Sequence, residues 1–152
     1  MAPNFSHLLK RPAGKAKKPE ALPAGLYPGI IKSFEYGDQN KNKTPYVRFH
    51  LGLTGWPDDV SESDKSQPNG DGQLEPIDLS KRQPRRDFFL TDDAFWRLDE
   101  MLRSIGVEPA GRSYEECIPD AIGQNVIVEM QQYLNEKNNE TGNQVGRLFP
   151  SE

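Results

Sequence analysis

The sequence is poor in the residues from which most active centres and disulfide scaffolds are built. Its 152 residues include one cysteine, Cys117, and two histidines, His7 and His50. A single cysteine excludes an internal disulfide and fits a reducing cytoplasm. One Cys and two His far apart in sequence cannot supply the four ligands of a structural zinc site. Apolar residues make up 34%, below the ~45–50% of an ordinary globular chain. The core is therefore modest, and a large α/β enzyme with a deep pocket is excluded. No run approaches the ~18 consecutive apolar residues of a membrane span. The first residues are polar and basic, with no apolar block of a secretory leader.

Catalytic signatures are missing as well. The chain has no Gly-x-x-x-x-Gly-Lys phosphate loop and no Gly-x-Gly-x-x-Gly turn. Asp38-Gln39-Asn40-Lys41-Asn42 imitates the start of a calcium loop. It has Lys43 where the loop needs Gly and Phe49 where it needs Glu. No strand-to-helix elbow presents a serine nucleophile. Asp92 and Asp93 read as first-turn helix acids and Asp87 as an arginine partner, not as metal ligands. Cys117 reads as a small buried apolar residue. Neither a cofactor nor a metal is expected, and no enzymatic activity.

Charge is present in quantity and is unevenly spread. The net charge is −4. Residues 1–18 hold five bases (Lys10, Arg11, Lys15, Lys17, Lys18) and no acid. Residues 55–79 hold seven acids and one base, Lys65, and Lys81, Arg82, Arg85 and Arg86 follow within six residues. An acidic body does not preclude a basic groove, because phosphate affinity follows local potential. Four like charges so close repel one another unless an anion or the acidic segment lies beside them.

With 13 Gly and 13 Pro, much of the chain must be loop. Residues 1–22 read as a basic, irregular arm, and residues 23–150 as one domain. A strand over 26–36 is β-branched and aromatic. A polar connection follows over 37–43. The next strand, 44–54, alternates cleanly: Val47, Phe49, Leu51 and Leu53 on a core face, Tyr46, Arg48, His50 and Gly52 outside. Residues 55–76 read as a long acidic loop and 77–90 as a third strand with a break at Pro84.

Thr91, with Asp92 and Asp93 in the first turn, opens a helix whose apolar face is Phe95, Leu98, Leu102 and Ile105. Gly106 lies where a C-cap belongs. Ser113 and Glu116 form a capping-box pattern before a shorter second helical segment. Strands over 124–134 and 143–149 flank a polar loop.

The order β-β-β-α-β-β, with the helix between strands three and four, is that of the OB-fold. This is a mainly β, five-stranded Greek-key barrel that binds single-stranded nucleic acid on its second and third strands. Such binding needs cations along a groove and flat rings for stacking. Tyr46, Arg48 and His50 are placed outward on strand two, with Lys41 and Lys43 in the loop before them. Lys81, Arg82, Arg85 and Arg86 lie in or before strand three. Phe88 and Phe89 must face opposite ways, and Phe89 is assigned to the groove. Arg147 on the last strand extends the track. Trp96 is expected to pack against the flank of the barrel. Arg48 has an alternative partner in Glu35.

Several segments carry a family resemblance. They are Leu22-Pro23-Ala24-Gly25-Leu26-Tyr27-Pro28, Asn40-Lys41-Asn42-Lys43-Thr44-Pro45-Tyr46, Ala94-Phe95-Trp96-Arg97-Leu98 and Gly142-Asn143-Gln144-Val145-Gly146-Arg147-Leu148. Over about residues 20–150 the chain resembles a phage-encoded family, long catalogued as of unknown function, of OB-fold single-stranded DNA-binding proteins. The resemblance implies a role in phage DNA replication or recombination in the host cytoplasm, alongside phage or host replication proteins. Many bacterial-type single-strand binders end in an acidic recruiting tail, whereas this sequence ends Phe149-Pro150-Ser151-Glu152. Either the acidic loop substitutes for that tail or recruitment is absent. The sequence leaves a homo-oligomer open. The alternative reading is an OB-fold interaction module that docks an acidic protein partner.

Overall fold

The computed structural model describes Leu9 and residues 20–151. The basic run expected to form an arm lies almost wholly outside the described residues. Seven strands run in chain order: β1 (Gly25–Gly37), β2 (Tyr46–Leu53), β3 (Ser66–Pro68), β4 (Leu74–Pro76), β5 (Arg85–Phe89), β6 (Asn125–Asn135) and β7 (Glu140–Pro150). Two helices, α1 (Phe95–Ser104) and α2 (Tyr114–Asp120), separate β5 from β6. Five strands form one antiparallel sheet in the order β5-β2-β1-β6-β7, and β3 and β4 form a small separate hairpin. Among the described residues no helix is long and apolar enough to cross a membrane.

The central strand, β1, carries a device that the alternation of its residues does not reveal. Tyr27, Gly29 and Ile31 face the core, and the pairing with β2 then slips at Lys32. One extra residue inverts the parity. Phe34 and Tyr36 now share the inner face with Phe49 and Val47, and Glu35 turns outward beside Arg48. Without the bulge Glu35 would point into the core. Pro28 fits in β1 because its carbonyl accepts from Thr54, just past the end of β2. Its missing N–H forgoes only the return bond of that last pair, at the end of the β2 ladder.

The inner face of the sheet and the two helices enclose the core. Tyr27, Phe49, Leu51, Leu98, Leu102 and Ile118 are all essentially solvent-free. Phe49 meets Phe88 edge-on, with centroids 5.9 Å apart. The Phe95 and Tyr114 rings stack at 4.4 Å and join α1 to α2. Tyr114 also donates to Asp99. Helix α1 ends where Gly106 adopts φ +92° and Val107 N–H reaches back to the Leu102 carbonyl, the glycine-terminated cap that β-carbon sterics favour.

Four expectations are corrected. The segment 55–76 is not one loop, since it folds into a 3₁₀ turn and the β3–β4 hairpin. The third long strand is short, and a 3₁₀ turn at Leu79–Lys81 replaces its first half. Helix α1 begins at Phe95, because Thr91 closes a turn by accepting from both Ala94 and Phe95.

The fourth correction concerns the barrel, which is not closed. β5 and β7 approach each other but exchange no ladder hydrogen bonds, so they are the two edges of an open sheet. A side chain takes the place of a strand at this edge: Arg86 Nη1 donates to the Asp87 carbonyl at 2.6 Å. The segment entering β1 spans one end of the gap. Arg82 binds the Glu20 carbonyl, and the Asn143 side chain holds both the N–H and the carbonyl of Leu22. Helix α1, in contact with both β5 and β7, spans the other end.

Phe49→Ala removes a fully buried ring that no neighbour replaces. It should lower the unfolding free energy by about 3–5 kcal/mol, read from the midpoint of a urea titration. The buried Tyr27 phenol donates to the Pro23 carbonyl at 2.7 Å, and burial raises its pKa to about 12. The neutral phenol is therefore the form the fold favours. Its contribution is complete below the ordinary tyrosine pKa and is lost as pH rises through the folded value. Stability should fall between about pH 10 and pH 12. Tyr27→Phe should flatten that fall, measured by urea unfolding at successive pH values.

Candidate functional site

Strand parity divides the expected binding residues between two places. On the outer face of β1, β2 and β5, the register sets Glu35 beside Arg48 and Arg48 beside Asp87. Arg48 makes a bidentate pair with Asp87 at 2.8 and 3.0 Å and lies 3.9 Å from Glu35. The hydrogen bonds that Arg48 donates to Asp87 raise its pKa above the ordinary arginine value. His50 meets Glu35 at 3.0 Å. This strip compensates its own charge and has little cation left for a phosphate.

Tyr46 is also corrected. It belongs to the outward set but is only 8% exposed. Its ring lies over Gly37, where an added β-carbon would come within 2.6 Å of the hydroxyl. Arg48 covers the ring at 5.0 Å. A ring sealed between a glycine and a guanidinium is not open for a base to stack on. Phe89 is 46% exposed in register with Tyr46, on the face opposite Phe88. Lys41, Lys43 and Lys81 are exposed, and none of them lines either cleft described below.

The other cations meet at the gap between β5 and β7. One cleft there, of about 480 Å³, is lined by Arg82, Arg85, Arg86, Tyr133, Asn143 and Gln144 among others. A second, of about 390 Å³, is lined by Arg86, Trp96, Arg97, Arg147, Phe149 and Glu100 among others. Arg86 lines both, so the clefts form one seam along the open edges.

Each arginine reaches the seam for a local reason. Arg86 pairs with the core residue Phe49 across the strands. Its parity therefore turns it inward, where it stacks on Phe88 at 4.5 Å. Arg85, its neighbour, lies at the exposed rim. Arg82 follows the 3₁₀ turn. Arg147 sits at a bulge in β7, where the register slips opposite Glu129. Glu129 Oε1 accepts from the Arg147 backbone N–H, and an added β-carbon at Gly146 would lie 2.1 Å from that oxygen. Only glycine leaves room for the carboxylate that holds the bulge.

The seam is electrostatically unsatisfied. Arg48, Arg103 and Arg112 all have carboxylate partners. Among the described residues, Arg82, Arg85, Arg86, Arg97 and Arg147 make no salt bridge. Arg82 Nη2 is buried without a hydrogen-bond partner among the described residues. Burial lowers the Arg82 pKa. Burial also lowers that of Arg86, and repulsion from Arg97 lowers it further. Two guanidiniums that destabilise each other at a partly buried site are relieved by an anion. Asp87 and Glu100 also lie on the seam, but both oxygens of Asp87 are turned to Arg48.

Of the eleven residues expected from sequence, the structure gathers Arg82, Arg85, Arg86 and Arg147. It separates them from Lys41, Lys43, Tyr46, Arg48, His50, Lys81 and Phe89. The sequence reading missed Arg97, Tyr133 and the exposure of Trp96, which is 56% exposed and not packed on the barrel flank. Trp96 does stand off the line of Phe95, Leu98 and Leu102, which was the available signal. Among the described residues no three His, Cys, Asp or Glu side chains gather as metal ligands.

No protein-family model matches the sequence, and no curated protein matches it. The Arg48–Asp87 pair is partly shielded, with side chains 19% and 34% exposed. A double-mutant cycle of Arg48→Met and Asp87→Asn should give a coupling of about 1–2 kcal/mol, allowing for solvent screening. Denaturant unfolding of the four proteins measures it.

Proposed function

We propose that the protein binds single-stranded DNA without reading its sequence, along the seam between β5 and β7, and shields it during phage replication or recombination. The chain order of the long strands supports this reading. The third, second, first, fourth and fifth lie side by side, with the helices between the third and the fourth. This order supports reading the sheet as an OB-fold whose final strand pairing is left open. The proposed setting is the cytoplasm of a phage host, and the proposed role is binding without catalysis.

One observation carries the reading. Among the described residues, the arginines at the seam make no salt bridge, whereas Arg48, Arg103 and Arg112 each have a carboxylate partner. An unpaired strand supplies that missing charge at regular intervals. It can also turn base faces toward the seam, and in a duplex those faces are covered by neighbouring bases. The interaction is with the backbone charge, so it depends on salt more than on sequence.

Oligo-dT titrated against the full chain at several salt concentrations tests this. Log affinity should fall linearly with log salt, with a slope of about −0.7 per phosphate contacted. Arg85→Glu with Arg147→Glu, both at exposed positions, should weaken binding and reduce the slope by about 1.4. Arg48→Gln should leave the slope unchanged. Preference for polyglutamate over oligo-dT would assign the seam to an acidic protein partner. An unchanged isotherm in the double variant would remove the seam from the site.

A further inference from the structure

We propose that the second cleft, at the α1 end of the seam, is a nucleobase-stacking subsite, with the Trp96 indole as its platform. The inference rests on the reading of the seam as a single-strand track and adds to it which part of the strand goes where.

Trp96 follows the first residue of α1 and points away from the core line of Leu98 and Leu102, so burial does not explain it. The side chain is more than half exposed. An indole left in water forgoes the stabilisation that a ring of this size gains elsewhere. Trp56, by contrast, is half-buried with its ring 5.8 Å from that of Tyr27.

The surroundings of Trp96 specify a ligand that is flat and attached to negative charge. The Arg97 guanidinium lies 5.2 Å from the indole centroid, and Arg86 and Arg147 stand on the same walls. Phe88, Met101 and Phe149 supply apolar surface, and Glu100 is the one acid among the described residues that line the cleft. A purely apolar protein partner would have to cover three guanidiniums without neutralising them, at a large desolvation cost. A nucleotide covers the apolar surface with its base and meets the arginines with its phosphates. Arg86 lines both clefts, so a strand with its phosphates at Arg85 and Arg86 has its next base within reach of the indole.

The test uses the full chain carrying Trp56→Phe, which leaves Trp96 as its only indole. Oligo-dT should quench the emission in step with binding measured by anisotropy of a labelled strand. Trp96→Ala should weaken oligo-dT binding about 5- to 150-fold while leaving the salt slope unchanged, and Trp96→Phe should restore most of the loss. An abasic strand of equal length, which offers phosphates without rings, should bind wild type and Trp96→Ala equally.

Trp96 is exposed, so Trp96→Ala should keep the fold, which circular dichroism of the variant checks. If Trp96→Ala binds oligo-dT like wild type while Arg85→Glu with Arg147→Glu does not, the stacking subsite is refuted and the seam survives. If the abasic strand loses as much affinity as oligo-dT in Trp96→Ala, the indole is not stacking on a base. If wild type binds no oligo-dT at all, the single-strand reading itself falls. Quenching by polyglutamate alone would assign the cleft to an acidic protein.

Discussion

Two strand edges face each other across a gap that no backbone hydrogen bond crosses. Unpaired edges of this kind are normally blunted or covered, because they invite another strand. Here they are separated by side chains. Arg86 occupies the edge carbonyl of Asp87, Asn143 ties the entering segment across one end, and α1 lies across the other. The gap therefore keeps its shape without closing. It is lined by guanidiniums that find no carboxylate among the described residues, and the charge balance of the site follows from that.

The outer face of the same sheet resolves its charge in the opposite way. The β1 bulge at Lys32 brings Glu35 into register with Arg48, and Asp87 lies on the other side of it. Three strands thus contribute one compensated row of acid, base and acid. A one-residue slip decides this, because it moves every later side chain of β1 to the other face. The bulge and the open seam are complementary: the first neutralises the face where an OB-type site would be sought, and the second leaves its own arginines without a salt bridge among the described residues.

The bulge in β7 shows how a backbone irregularity aims a side chain. Gly146 yields its space to the Glu129 carboxylate, which holds the Arg147 N–H. The Arg147 side chain is then left for the seam. Trp96 is placed by a simpler rule, since it follows the first residue of a helix whose core stripe it does not share. A residue outside the stripe is exposed unless another element covers it, and none among the described residues buries it.

Composition and periodicity were enough to make this a small, mainly β chain with strands at the alternating segments, a core of Val47, Phe49 and Leu51, and helices between the third and fourth long strands. Period-two and period-3.6 patterns are local, and local sequence encodes them. The clustering of Lys81, Arg82, Arg85 and Arg86 was equally legible, because it is linear. The faces those charges would take were not legible. Neighbours in a strand point oppositely, bulges invert parity, and ion pairs such as Arg48 with Asp87 join residues 39 apart. Only the tertiary structure could seal Tyr46 over Gly37, pair off Arg48 and His50, leave β5 and β7 apart, and gather Arg82, Arg85, Arg86, Arg97 and Arg147. Register between distant strands is set by the packing of the whole core and not by any segment of it.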